Sequence, residues 1–474
     1  MFLMFALSLS ALNLSASARS SYLTYSPIQS YQCRFNDDCW RMPPSNFDPA
    51  YSMSEVDKFQ ILIFPHQREW TTPHLREKVI DQVIVESPKR CKIYAAEMTS
   101  RREWTKVGPV IRSAKVFTIR AGKNKPPIYF ECPAGFTVVN QFAKKIEVQP
   151  PLIVPPPVLQ NQDSIASQAP SIQMPIEMIE DPRGPQSLSY AGNFVAYYDE
   201  KKVSLVNLVD PEYYHQGVVS SEVPSDWSLE ALKAQAVASR TYSWYTVASA
   251  RSSSHDYREY LYDMDDTVQF HAYKGSAIYP KPKQAVEQTS GQLLYSGKKI
   301  IQAFYSADNG GISESSENYY ERALPYCVPV VEAELDRKSF KGFYNSKKLV
   351  TADYLTQRLR RAKLLTKNQQ VKSVEVKSLS NSGRPKSVRV ILAQGSEVLV
   401  DGLELVRMLG LQNRMYSIVQ KGKEFLFVVN GYGHGVGLSQ LGAQAYASQL
   451  SWSYVKILKK YYSGITIKKM NHSN

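Results

Sequence analysis

Hydrophobic and polar positions alternate over short spans in the first third of the chain. Runs at Phe59–Phe64, Val79–Val85, Cys91–Tyr94 and Ala114–Ile119 predict strands separated by turn residues. Two more, Phe194–Tyr198 and Val203–Leu208, lead into the stretch Gly217–Tyr245. That stretch opens on Val218-Val219, a strand end or a first helical turn, and then sets Glu222 two residues before Pro224. Proline removes a backbone donor, so a turn or helix start is expected there. Ser225 and Ser228 are both suited to cap a helix, with Trp227 between them to pin its entry. From Leu229 the chain is alanine-rich and almost free of breakers, which predicts a helix of several turns. Glu230, Lys233, Arg240 and Thr241 fall on one side of it, and small apolar residues cover most of the rest. Such a helix suits a buried position, and its charges then need partners. Lys233 has Glu230 within the helix.

Later patterns are equally segmented. Ile301–Tyr305 reads as an apolar strand running into Asn309-Gly310-Gly311, where glycines permit left-handed backbone and close approach of a ligand. Tyr354–Leu364 and Leu403–Leu409 read as helices; Val371–Val376 and Ser387–Leu392 read as strands around a turn at Ser382–Arg384. Glycines at 431, 433, 435 and 437 make an open loop around His434, and a helix follows from Leu438. No P-loop lysine or nucleotide fingerprint accompanies this loop, which excludes a phosphate cradle. Ser451–Tyr462 is a closing amphipathic helix ended by Gly464.

The N-terminus changes the compartment. An apolar block from Phe2 to Leu12 precedes Ala16-Ser17-Ala18, an export leader of 18 residues with a cleavage site. The block is too short to span a bilayer, so no integral membrane segment is expected once the leader is removed. Cys33, Cys39, Cys91 and Cys132 suit an oxidising compartment, with the local pairings Cys33–Cys39 and Cys91–Cys132 expected. Cys327 is left as a buried thiol. Residues 149–187 are rich in proline, glutamine and serine and read as a linker. The formal charge of +14 favours anionic surroundings. For an exported chain these are envelope surfaces and wall polymers, not nucleic acid.

The key stretch resembles the signature of the stage II sporulation protein D family, also called the amidase-enhancer LytB family. The matching residues are Gly217-Val218-Val219, Glu222-Val223-Pro224, Trp227 and the run from Glu230 to Arg240-Thr241-Tyr242. Ala285–Gly297 resembles a family hairpin with Thr289 and Gly291 near its turn. The resemblance implies lytic cleavage of peptidoglycan MurNAc–GlcNAc strands in the periplasm or cell envelope, leaving a 1,6-anhydro product. Glu222 is then the general acid and afterwards the base. Ser306, Asn309, Gly310, His434, Ser439 and Gln440 are candidates to orient the sugar. Lys233 and Arg240 are candidates to hold a substrate carboxylate, or else to tie the helix down. Some relatives bind a metal through Cys and His near Gln269-Phe270-His271; the cysteines are missing here, so neither metal nor other cofactor is expected. The same family covers a non-catalytic role, in which a wall-binding protein stimulates a separate cell-wall amidase.

The expected fold class is α+β. A leader at 1–18 is followed by a small β-rich domain at 19–148, the linker at 149–187, and a catalytic domain at 188–470. The last is built of mixed strands around the buried alanine-rich helix.

Overall fold

The computed structural model describes residues 56–63, 82–99, 104–121, 126–139, 188–198, 203–252, 262–266, 270–340 and 342–470. The leader, Cys33, Cys39 and the linker at 149–187 lie outside the described residues. The architecture is α+β.

Five strands come from the N-terminal segment: β1 (Phe59–Ile63), β2 (Gln82–Met98), β3 (Trp104–Arg120), β4 (Ile128–Glu131) and β5 (Phe136–Val139). The runs read separately at Val79–Val85 and Cys91–Tyr94 belong to one strand, β2. It passes Pro88 through a register shift between Glu86 and Cys91, a place where a sheet tolerates proline. On the β2–β4 ladder Lys92 lies opposite Glu131. One step further out, Cys91 faces Cys132, and the two form a disulfide. Replacing both by alanine releases a link across 41 residues. By loop entropy this is expected to cost about 4 kcal/mol, read as a lower urea midpoint.

The next strands, β6 (Leu188–Tyr190), β7 (Asn193–Tyr198) and β8 (Val203–Val209), join the same sheet. Its order is β6-β5-β2-β4-β7-β8-β1-β9, with β3 paired to β2 and β9 (Met264–Asp265) closing the far edge beside β1. Strands on either side of the expected linker therefore share one sheet rather than dividing into two domains. Packing explains it. Phe130 stacks on Phe194 at 4.3 Å, and Phe136 meets the same ring at 4.3 Å. Phe59 packs edge-on against Trp244 at 5.1 Å. Each buried ring contributes roughly 2–3 kcal/mol only if both segments are present.

Beyond β8 come α1 (Pro211–Glu222) and α2 (Leu229–Ser252). α1 escapes a reading by apolar period because Gly217 interrupts it. Asp210 caps it, accepting from the Tyr213 amide at 2.9 Å, and Pro211 occupies its first turn. A Cβ at Gly217 would meet the Gly275 carbonyl at 2.6 Å, so the glycine serves close packing. Val223, extended before Pro224, ends the helix. In α2, Ala231, Ala234, Ala236 and Ala238 are buried.

α3 (Pro280–Gln288), β10 (Gln292–Ser296) and β11 (Lys299–Ile300) follow. Ala285–Gly297 is thus not a plain hairpin: its first third completes a helix that starts at Pro280. Only Tyr305–Ser306, β12, is strand in the 301–311 run, and α4 (Glu317–Tyr320) lies beyond it. Residues 346–429 hold β13 (Ser346–Thr351), α5 (Ala352–Arg361), β14 (Val371–Leu379), β15 (Pro385–Leu392), β16 (Glu397–Asp401), α6 (Gly402–Leu409), β17 (Tyr416–Lys421) and β18 (Glu424–Val429). They form two three-stranded sheets around a core of their own. The chain returns through β19 (Leu438–Ser439), α7 (Gln440–Leu450), α8 (Tyr454–Tyr461) and β20 (Thr466–Lys469). β19 pairs in parallel with β12, Tyr305 opposite Leu438 and Ser306 opposite Ser439.

Candidate active site around Glu222

Glu222 is the last residue of α1, where the chain breaks toward Pro224. Its side chain is partly exposed and is met from two other elements. The Ala272 amide donates to Oε1 at 2.6 Å. Gln440 Nε2, at the start of α7, donates to Oε2 at 3.2 Å. The Tyr305 hydroxyl on β12 also lies within hydrogen-bonding reach. Burial raises the Glu222 pKa above the usual carboxylate value, while the bonds from Ala272, Gln440 and Tyr305 pull it back down. The named hydrogen-bond partners are all neutral, and among the described residues no cation is paired with the carboxyl.

Aromatic rings lie beside these groups. Tyr242 meets His271 at 5.1 Å, and Phe304 stacks on Tyr320 at 4.1 Å. His434 touches Tyr319 at 5.5 Å and Tyr320 at 5.6 Å. Its Nδ1 accepts from the Val436 amide at 3.0 Å, and its ring also bonds the Tyr305 backbone. Burial lowers the His434 pKa to about 4, so it is neutral at ordinary pH.

The other expected residues have different duties. Ser306 Oγ donates to Asn309 Oδ1 at 3.0 Å and accepts from the Gly435 amide at 3.2 Å. Asn309 Nδ2 donates to the Gly437 carbonyl at 2.8 Å, and its own carbonyl is bonded by Arg384. These two buried side chains therefore cross-link the 305–311 turn to the glycine loop. Gly310 is left-handed there, and a Cβ would meet the Asn430 carbonyl at 2.8 Å. Gly435 lies over Arg384, and a Cβ would run into its guanidinium. Ser439 is buried and caps α7, accepting from the Gly442 amide at 3.0 Å.

Lys233 and Arg240 tie helices down. Lys233 donates to Glu230 at 2.8 Å, and Glu230 in turn accepts from the Tyr454 amide at 2.8 Å at the start of α8. Arg240 is fully buried and forks onto Glu212 of α1, Nε to Oε1 at 2.8 Å and Nη2 to Oε2 at 2.7 Å. Its Nη2 also reaches the Val286 carbonyl at 3.1 Å. This clamp joins α1, α2 and α3, and so places Glu222. Arg240→Ala is expected to destabilise the protein by about 3 kcal/mol, the low end for a broken buried pair because Glu212 reaches solvent. Chemical denaturation reads it.

Tyr305 and His271 were not singled out as site residues from sequence. The signal for Tyr305 was its place in the apolar run before Asn309; His271 was noted only in the stretch where some relatives bind a metal. Among the described residues no three His, Cys, Asp or Glu side chains are grouped to hold a metal. A cavity of about 380 Å³, lined by Pro88, Phe136, Ser189, Tyr190 and Tyr213 among others, opens at the far end of α1 and has no carboxylate or histidine in its wall. No helix among the described residues is long and apolar enough to cross a membrane.

Comparison with known proteins bears on the same segment. The Stage II sporulation protein family matches residues 199–295, which include Glu222. The "Stage II sporulation protein D" of Bacillus amyloliquefaciens is 30% identical over 275 residues, covering 54% of this chain and 74% of that protein. Its namesake in Bacillus subtilis strain 168 is 28% identical over 349 residues, 70% of this chain and 96% of that one. The "Amidase enhancer" of Bacillus subtilis strain 168 is 30% identical over 294 residues, covering 53% of this chain but only 40% of the enhancer. With its signature run and these relatives, the chain belongs to the stage II sporulation protein D and LytB amidase-enhancer family.

Proposed function

We propose that this chain works on peptidoglycan in the cell envelope and that Glu222 is the acid–base group of glycan-strand cleavage. One observation carries the reading: a partly exposed carboxyl, its charge disfavoured by burial, held by neutral partners beside aromatic rings. Such a carboxyl can keep its proton toward neutral pH and deliver it. The protonated Glu222 gives its proton to the glycosidic oxygen, and an oxocarbenium-like centre forms at C1 of the muramic residue. The carboxylate then takes the proton of the same sugar's C6 hydroxyl as that oxygen bonds to C1. The product is a 1,6-anhydro end, and no water is consumed. His434, Tyr319 and Gln440 are the side chains we assign to the sugar.

A second reading has its own support. One relative bears the name "Amidase enhancer", and a wall-binding enhancer needs the cleft but not the proton transfer. One assay separates the two. The full chain is incubated with glycan strands stripped of stem peptides, and the ends are analysed by mass spectrometry. Anhydromuramic ends support the lytic reading; binding without new ends supports the enhancer; reducing ends indicate hydrolysis. The full chain is needed because β1–β5 complete the sheet under α1.

A further inference from the structure

Two turns of the large sheet converge on the cavity of about 380 Å³ at the start of α1, the opposite end from Glu222. One turn, residues 132–135, joins β4 to β5; the other, residues 191–192, joins β6 to β7. Both are held firmly. A Cβ at Gly135 would meet the Tyr190 carbonyl at 2.5 Å, and one at Gly192 would run into the Leu208 carbonyl. Ser87 Oγ donates to the Gly135 carbonyl at 2.7 Å, and Asn207 Nδ2 donates to the Ala191 carbonyl at 2.8 Å. The rings of Phe136 and Tyr190 stack at 5.5 Å between the turns. A ligand therefore meets a preformed wall, and the volume falls at the low end of the roughly 300–1,000 Å³ of small-molecule sites.

The chemistry of the wall selects the ligand. Among the described residues no charged side chain lines the cavity. A carboxylate, phosphate or ammonium group would give up hydration there without a counter-charge. Pro88, Pro133 and Phe136 supply apolar surface, and hydroxyls lie between them. Tyr213 and Ser276 both line the cavity, and their hydroxyls make no hydrogen bond among the described residues. Thr137 and Ser189 bond each other at 2.8 Å, either donating, which leaves one proton and several lone pairs open. Such a wall suits a ligand with many donors and acceptors, apolar C–H faces and no charge, and a sugar ring has all three. We propose that this cavity is a second carbohydrate site, separate from Glu222, that takes one uncharged pyranose unit of a glycan. Tyr213 lies nine residues before Glu222 on α1, about 14 Å along the helix axis. Of the wall, only Tyr213 and Ser276 fall within the family match at 199–295. The N-terminal strands build much of the rest, which gives them a task beyond completing the sheet. A polymer held at both places binds more tightly than at either, because the second contact is intramolecular.

The test reads the cavity itself and needs no turnover. The full chain is labelled with 13C-methyl alanine. Ala134 and Ala191 line the cavity, and their resonances are assigned by loss in Ala134→Gly and Ala191→Gly. N-acetylglucosamine and its β-1,4-linked dimer are then titrated in. Both methyls are expected to shift saturably with one common Kd. Tyr213→Phe and Ser276→Ala are each expected to raise that Kd about 3–10-fold, the usual worth of one hydrogen bond. Each change removes a single oxygen, and an otherwise unaltered methyl spectrum shows that the variant is folded. No saturable shift at either methyl, or a Kd unchanged in either variant, overturns the proposal. So does a charged stem peptide that moves the same methyls at lower concentration than the sugar. A chain that yields no anhydro ends counts against the acid role of Glu222, while the alanine titration still decides this one.

Discussion

Glu222→Gln is expected to lower the release of anhydromuramic ends by at least about 100-fold, the usual scale for losing a general acid. Glutamine keeps the length and the planar head of glutamate. Its oxygen can still accept from the Ala272 amide, and Gln440 can turn its amide to accept from the new amide nitrogen. What is lost is the titratable proton. Binding to glycan strands is therefore expected to change little, which is read by sedimentation with purified sacculi. The same variant also tests the enhancer reading. If stimulation of an amidase is the function, it survives in Glu222→Gln, and the wild type yields no anhydro ends to lose.

On acidification from pH 7 to pH 5 the protein is expected to lose stability steeply. The described histidines, His215, His271 and His434, all have pKa values lowered by burial: His271 to about 3, His434 to about 4, and His215 well below its ordinary 6.5. The unfolded chain binds a proton on each near pH 6.5, and the folded chain does not. Their contribution is therefore full above 6.5 and is lost as pH falls. Three carboxyls act the other way. Glu222 is raised by burial, Glu332 by burial and by Asp308, and Glu404 by burial and by Asp401. Each contributes below the ordinary 4.5, and that contribution is lost as pH rises through the folded value. Between pH 4.5 and 6.5 three protons on one side are partly offset by those of three carboxyls on the other, of which only Glu332 is raised as far as about 7. The net slope is roughly 1–2 kcal/mol per pH unit. Urea midpoints at pH 7, 6 and 5 check it; a flat or rising series contradicts the assignment of neutral buried imidazoles.

Both results depend on how the site is assembled, and much of that was readable. The breaker-free run from Leu229 specified α2 because helix period and alanine content are local properties. The Glu-x-Pro step specified a break in the chain at 222–224, since the residue before proline is driven to extended backbone; that a helix ends there was not read. Alternate glycines specified the loop at 431–437, which needs positive φ at each. The partners of those pieces were not readable. Arg240 was open between holding a substrate carboxylate and tying the helix down, and its partner Glu212, 28 residues earlier, could not be named. Nothing local showed that Ser306 and Asn309, candidates to orient the sugar, bond each other and the glycine loop.

By itself, then, the sequence determined the alanine-rich helix α2, the glycine loop and the chain break after Glu222, because each is set by neighbours within about one or two turns of chain. Tertiary structure alone decided that the N-terminal strands complete the sheet. It also decided that Ala272 and Gln440, 50 and 218 residues from Glu222, bond its two oxygens. The physical reason is that a carboxyl's proton affinity depends on the direction of every dipole within a few ångströms. Those dipoles come from segments that meet only when the cores between them close.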